Sequence, residues 1–258
     1  MILSCCAWAL SGSEEEALGG IAGAGFGWID VRPDALVSEP CRDRARDLGL
    51  RVSCVAASFG MEAALDSPDA GSARKALAHT EKALAHGAAL GATAAYVVPG
   101  PDGSPEALDR YAASLAFAAD RAQIHGLKLC IEHFPGRALP TVAATLDFLA
   151  GIGHSNLYLL FDIGHAQMSG EDPASAIASA GLHLGYVHLD DNDGVNDLHL
   201  GLMDGALTEA GLRKTFDALA GAGYDGAVSL ELSSKLPDPL EALKRSRGVL
   251  RRVVSALE

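Results

Sequence analysis

Basic side chains are scarce in this 258-residue chain: 20 Lys and Arg stand against 33 Asp and Glu, a net charge of −13. A nucleic acid backbone would meet a repelling field over such a surface, so no nucleic acid partner is expected. The five cysteines, at positions 5, 6, 41, 54 and 130, form neither a C-x-x-C pair nor a zinc-site spacing. Cys5, Cys54 and Cys130 fall in strand-like runs and read as small buried thiols. The opening MILSCCAWAL has no basic region and is too short to cross a bilayer, so neither a secretory leader nor a membrane anchor is expected. A reducing, cytoplasmic setting follows as the default. No Ser/Pro/Gly linker or charge block divides the sequence, whose widest break, FGMEAALDSPDAGS (59–72), reads as a loop and a helix start. With 49% apolar residues, one domain over residues 1–258 with a single large core is expected.

Apolar, β-branched runs bounded by turn residues predict eight strands, at 2–9, 26–31, 51–57, 94–98, 127–133, 157–162, 184–189 and 226–232. Several are almost continuously apolar, as a sheet covered on both faces requires. Helical stretches with readable ends separate them. Ser13 and Glu16 form a capping box; Ser104-Pro105, Asp172-Pro173 and Asp238-Pro239 each pair a cap with a first-turn proline. Gly49, Gly91, Gly126, Gly153 and Gly223 stop helices shortly before the next strand. Strict strand-helix alternation predicts an α/β fold, a (β/α)8 TIM barrel. An open doubly wound sheet would take the same elements, but no G-x-G-x-x-G follows the first strand, and no nucleotide cofactor is expected. The glycine-rich AGAGFG (22–27) comes after a helix and before a strand, the reverse of a phosphate loop, and reads as a helix stop.

Four chemically active side chains close four of these runs: Glu132 in KLCIE, Asp162 in LYLLFD, His188 in LGYVH and Glu231 in AVSLE. In a parallel barrel the ends of strands five to eight meet at the C-terminal mouth. Three carboxylates gathered there repel each other unless a positive object sits between them, and a divalent metal ion is the simplest such object. His165 follows Asp162 by three residues. The next loop, VHLDDNDGVNDLHLGLMDG, places Asp197 and His199 at alternate positions that an extended segment would point the same way. His165, Asp197 and His199 are therefore candidates for a second metal position or for direct substrate contact, and both alternatives stand open. His133 should turn away from Glu132, toward the helix layer or the rim. Trp8, at the end of the first strand, either walls a substrate pocket or packs in the core.

These motifs, IEHF (131–134), FDIGHAQMSGEDPASAI (161–177), GYVHLDDNDGVNDLHLGLMDGALT (185–208) and LEL (230–232), resemble the xylose-isomerase-like TIM barrel superfamily. The likeness implies that Glu132, Asp162, His188 and Glu231 bind one Mn, Mg, Co or Zn ion, and that the two glutamates act as an acid/base pair on opposite faces of the substrate. The chain is also similar to the metal-dependent apurinic endonucleases of that superfamily, but VSCVAASF and YVVPG lack two histidines which that family needs, so DNA cleavage is not expected. The glycine turn usual after the strand-seven histidine appears here as LGLMDG (200–205), and an arginine expected in some epimerases has no clear counterpart.

The resemblance implies an isomerase or epimerase of a keto-sugar or related polyol, working by proton transfer through a metal-stabilised cis-enediolate. Two alternatives remain: a lyase or dehydratase acting on a keto-cyclitol, a dehydroshikimate-like acid or a 3-keto-glycoside, and a non-catalytic polyol- or metal-binding barrel. PGPDGSPEA (99–107) offers a helix N-terminus but no Lys or Arg, which favours a neutral carbohydrate or cyclitol over a phosphorylated one. A homodimer is compatible with the sequence.

Overall fold

The computed structural model describes residues 1–254. Eight strands, β1 (Ile2–Cys6), β2 (Trp28–Val31), β3 (Arg51–Ala56), β4 (Ala94–Val97), β5 (Lys128–Glu132), β6 (Leu157–Asp162), β7 (Leu184–Leu189) and β8 (Ala227–Leu230), close in sequence order into one parallel barrel. Around them run α1 (Glu14–Gly23), α2 (Glu39–Asp47), α3 (Ala70–Ala89), α4 (Pro105–Ile124), α5 (Val142–Ile152), α6 (Ile163–Met168), α7 (Pro173–Ala180), α8 (Glu209–Gly221) and α9 (Pro239–Val253). The single-domain TIM barrel read from the sequence is the observed fold. Sequence expectations differ chiefly in two places: the first strand ends at Cys6 rather than at residue 9, with Ala7–Ala9 in a 3-10 turn, and the segment between β6 and β7 holds two helices, because Asp162 itself caps a short α6 directly off the strand. No helix among the described residues is long and apolar enough to cross a membrane. The last four residues of the final predicted helix lie outside the described residues.

Helix ends follow the chemistry of their side chains. Ser13 accepts the Glu16 N–H while Glu16 reaches back to the Ser13 N–H, and Ser104, Asp172 and Asp238 each accept an N–H three residues on, ahead of a proline. The five stop glycines all have positive φ, between 67° and 84°, where a side chain would strain the backbone.

Apolar packing is divided by the strands. One layer joins the outward strand faces to the helices, with Leu18, Ile21, Leu84, Leu115, Leu129 and Phe161 fully buried in it. A smaller cluster of Cys54, Ala56, Ala94, Tyr96, Cys130, Leu160 and Tyr186 fills the inside of the barrel. Ser4, Asp30, Ser53, His188 and Ser229 form a buried polar layer inside the barrel.

Two irregularities in the ladder shape that polar layer. Between β2 and β3 the register steps from Ile29↔Val52 to Asp30↔Cys54, leaving Ser53 as the extra residue. Ser53 Oγ contacts the Ile29 carbonyl at 3.0 Å and Asp30 Oδ1 at 2.7 Å. Between β6 and β7 the register steps from Leu159↔Leu184 to Leu160↔Tyr186, so Gly185 is the extra residue. A Cβ there would fall 2.5 Å from Tyr158 Cβ and 2.6 Å from Cys130 Sγ, which only glycine avoids. This bulge sets the phase that turns Tyr186 and His188 into the barrel. Gly185→Ala should therefore lower stability by about 1–3 kcal/mol through overpacking. Urea unfolding checks this, and an unchanged midpoint would contradict the role of the bulge.

Candidate metal and proton-transfer site

The structure brings Glu132, Asp162, His188 and Glu231 together: one ligand-type atom from each lies within 4.8 Å of every other. Glu132 and Asp162 are the last residues of β5 and β6, and His188 is the penultimate residue of β7. Glu231 lies one residue beyond β8 rather than within it, but its N–H still bonds the Leu189 carbonyl, so the ladder continues to position it. His188 Nδ1 lies 2.7 Å from Glu231 Oε2 and 3.7 Å from Glu132 Oε1. Neither nitrogen of His188 has a hydrogen bond of good geometry, and the buried Asp162 Oδ2 has no partner. Donor atoms that converge without pairing, in a set of three carboxylates and one imidazole, fit a divalent cation better than a hydrogen-bond network.

Neighbouring groups hold these side chains in place. Asp162 Oδ1 accepts the His165 N–H at 2.9 Å, and its own N–H donates to His133 Nε2 at 3.1 Å. The His133 carbonyl accepts from His165 Nδ1 at 3.0 Å, which leaves Nε2 of His165 as the bare nitrogen. His133 thus turns away from Glu132 as expected, but it braces the cup; burial, with the His165 charge, holds its pKa down at about 4. Below the cup, Asp30 Oδ2 sits 3.4 Å from His188 Nε2, while Tyr186 Oη and Ser4 and Ser53 Oγ contact Oδ1. A carboxylate behind an imidazole that faces a metal fixes the orientation of the ring. Sequence reading missed Asp30 because the single residue between Ile29 and Val31 carries no signal until the barrel brings β2 beside β7.

The charges are only partly compensated within the cluster. Burial raises the Glu132 pKa. Burial opposes the charge on His188, yet Glu231, Asp30 and Glu132 together push its pKa well above the usual histidine range. Burial would raise Glu231, but the charge on His188 draws it down to about 2. The imidazole offsets one negative charge at most, and the cluster keeps a deficit that a cation would fill.

The second trio also converges. His165 Nε2 and His199 Nε2 lie 3.5 and 3.2 Å from the same Asp197 oxygen, and His199 Nδ1 lies 2.9 Å from Asp190 Oδ2. The reason differs from the one read in the sequence. His199 has φ +47°, so the segment is not extended; the compact donor set is Asp190, Asp197 and His199, with His165 at its edge. Burial, followed by the Asp162 charge, raises the Asp190 pKa to about 7, and Asp190 and Asp197 outweigh burial to lift His199 to about 12. Asp190 was legible only as one of many acids in its loop. Trp8 lies in a 3-10 turn after β1 rather than in the strand, and its indole N–H donates to Glu231 Oε1 at 3.1 Å, which places it at the mouth.

A cavity of about 450 Å3 borders the cup through Tyr96 and Phe134, with none of the four cup residues in its lining. Its wall includes Tyr96, edge-on to His188 with ring centres 5.1 Å apart, and Phe134, whose ring centre lies 4.2 Å from that of His165. That size suits a small organic molecule.

Residues 20–253 match the family model described as xylose isomerase-like TIM barrel. Among curated proteins, the chain is 31% identical over 146 residues to an inosose dehydratase of Klebsiella pneumoniae, covering 49% of this chain and 48% of that one. It is 31% identical over 137 residues to a putative hydroxypyruvate isomerase of Streptomyces coelicolor, covering 49% and 47%. The matched segment thus spans about half the length of these curated relatives. Among solved structures, an L-ribulose 3-epimerase superimposes with a TM-score of 0.85 at 23% identity, covering 99% of this chain and 95% of that one. A D-allulose 3-epimerase from Methylomonas sp. gives 0.83 at 20% identity, covering 98% of each. These likenesses establish the shared fold.

The β7–α8 loop that carries Asp190, Asp197 and His199 is tied by one buried carboxylate. Asp191 accepts the N–H groups of Asn192, Gly205 and Leu207 at 2.8–2.9 Å, joining the two ends of the loop. Asp191→Ala would strand three donors, and it should cost about 3 kcal/mol or more in chemical denaturation. A loss under about 1 kcal/mol would show that the loop holds without it.

Proposed function

The chain belongs to the xylose isomerase-like TIM barrel family, and on that premise we propose that it is a divalent-metal-dependent isomerase or epimerase of a keto-sugar or related polyol. The observation that carries the reading is the convergence of Glu132, Asp162, His188 and Glu231 on one point at the barrel mouth, with an organic-sized cavity beside it. Those four residues would hold the ion. A donor set of three carboxylates and one imidazole suits Mn2+, with Mg2+, Co2+ and Zn2+ as competitors. When bound, the ion would stabilise negative charge developing on the substrate's carbonyl oxygen.

The side chains supply the rest. Glu132 and Glu231 reach in from β5 and from just past β8, with His188 between them, so they can address different faces of a substrate lying over the cup. One glutamate oxygen removes the proton from the carbon next to the carbonyl. The other glutamate returns a proton to the opposite face for epimerisation, or to the neighbouring carbon for isomerisation. Trp8 holds Glu231 through its indole N–H, and His133 holds Asp162 through its ring nitrogen. His165 and His199, both turned to Asp197, would bind the far hydroxyls of the substrate.

A second reading is favoured by the inosose dehydratase relatives: the same proton abstraction followed by loss of a β-hydroxyl as water. The two readings share the cup and differ in product. An unsaturated product selects the dehydratase, whereas a product of unchanged mass carrying solvent deuterium next to the carbonyl selects the isomerase or epimerase.

The test is proton exchange in D2O, followed by NMR, for Mn2+-loaded protein over a panel of keto-sugars and keto-cyclitols. Deuterium should enter at the carbon beside the carbonyl, and turnover without any such exchange would sink the mechanism. Glu132→Gln and Glu231→Gln should each slow exchange by about 10²–10⁴-fold. His188→Ala should lose the ion itself, read as Mn2+ retained after gel filtration; full retention would remove His188 from the ligand set. Chelation should abolish exchange, and added Mn2+ should restore it.

A further inference from the structure

Two guanidinium groups stand at the barrel mouth with no carboxylate to neutralise them. Arg32, directly after β2, lies 3.9 Å from the centre of the Phe59 ring and 5.6 Å from that of Trp8. Its Nε is buried without a hydrogen-bond partner. Arg137, in the loop after β5, lies 5.2 Å from the centre of the Phe134 ring. Among the described residues, the arginines that pair with carboxylates are Arg46, Arg121, Arg245 and Arg252, all on the outer helices. Other arginines, Arg44, Arg51 and Arg74 among them, also have no carboxylate within 4.0 Å among those residues; Arg32 and Arg137 differ in standing beside an acidic cup, where a free guanidinium calls for a partner that the protein does not itself supply.

The rings beneath them belong to the site. Trp8 donates to Glu231, Phe134 packs on His165, and Phe59 and Phe134 both line the cavity that opens beside His188. Glu62 and Asp66 share that wall; neither carboxylate comes within 4.0 Å of Arg137, and that of Asp66 packs against Gly100. Ring stacking alone does not mark a site, since Arg51 also stacks, 4.0 Å from the centre of Trp28. Arg51 and Trp28, however, open β3 and β2 at the opposite end of the barrel, which makes Arg51 an internal control.

A guanidinium presents its N–H donors in a planar fork that matches the oxygens of a carboxylate or phosphate, and an aromatic face fixes that plane. We propose that Arg32 and Arg137 form an anion-recognising rim, so that the substrate carries a carboxylate or phosphate group in addition to its hydroxy-ketone. The inference rests on the hydroxy-ketone reading of the cup and adds the substrate class. It reverses the preference for a neutral carbohydrate drawn from the loop after β4. That loop has no cation, but the loops after β2 and β5 each bring one.

The test compares fructose, fructose 6-phosphate and hydroxypyruvate as probes for the Mn2+-loaded protein, with binding read by calorimetry and deuterium exchange read by NMR. Wild-type protein should bind one of the two anionic probes at least about tenfold more tightly than fructose, and which one it is decides between phosphate and carboxylate. That preference should fall about tenfold in Arg32→Met, fall in Arg137→Met, and survive in Arg51→Met. Preference for fructose, failure of both anionic probes to bind, or a preference unmoved by the Arg32 and Arg137 substitutions would overturn the rim. Tight, arginine-dependent binding of an anionic probe without deuterium exchange would uphold the rim and count instead against the proton-transfer reading.

Discussion

Charge compensation in a confined space is the constraint around which this protein is arranged. Asp30, Glu132, Asp162, His188 and Asp190 are all nearly or wholly inaccessible to water, and Glu231 is only slightly exposed. Buried carboxylates must be paired, hydrogen-bonded or bound to a cation. Here they are only partly paired: His188 faces Asp30 on one side and the two glutamates on the other, while an oxygen of Asp162 is left without a partner. A barrel core built for stability alone would satisfy that oxygen or replace it with a methyl group. The deficit lies where a cation would remove it, and the functional reading grows from that deficit.

The scaffold meets the constraint by supporting each active group from outside the cup. Asp162 serves as strand end, helix cap and candidate ligand at once, since its other oxygen holds the first turn of α6. His133 faces away from the cavity and yet fixes both Asp162 and His165. The bulge at Ser53 delivers a hydroxyl to Asp30, and the bulge at Gly185 sets the inward phase of His188. These supports are buried and short, so orientation in the cup is set by the sheet rather than by mobile loops.

The barrel and the quartet were legible in the sequence because both depend on local patterns. Strand runs end in an acid or a histidine, and caps and stop glycines mark the helices between them. The quartet needed only one further idea, that parallel strands align their ends. What was not legible depends on pairs far apart in the chain. Asp30 acquires meaning only when Tyr186 and His188 face it across the barrel, and His133 only when its ring meets the Asp162 N–H. The Asp197–His199 pair was read as part of an extended segment, whereas a left-handed turn at His199 aims the ring. The two arginines of the rim were hidden because neither lies in the glycine-bearing loop where a phosphate contact was sought.

The central claim is that the four strand-end groups share one cation, and anomalous diffraction from a crystal soaked in Mn2+ tests it most directly. The account predicts a single strong peak about 2.2 Å from an oxygen of each of Glu132, Asp162 and Glu231 and from a ring nitrogen of His188. A peak found only among Asp190, Asp197 and His199, or an undisturbed cup in saturating Mn2+, would contradict it.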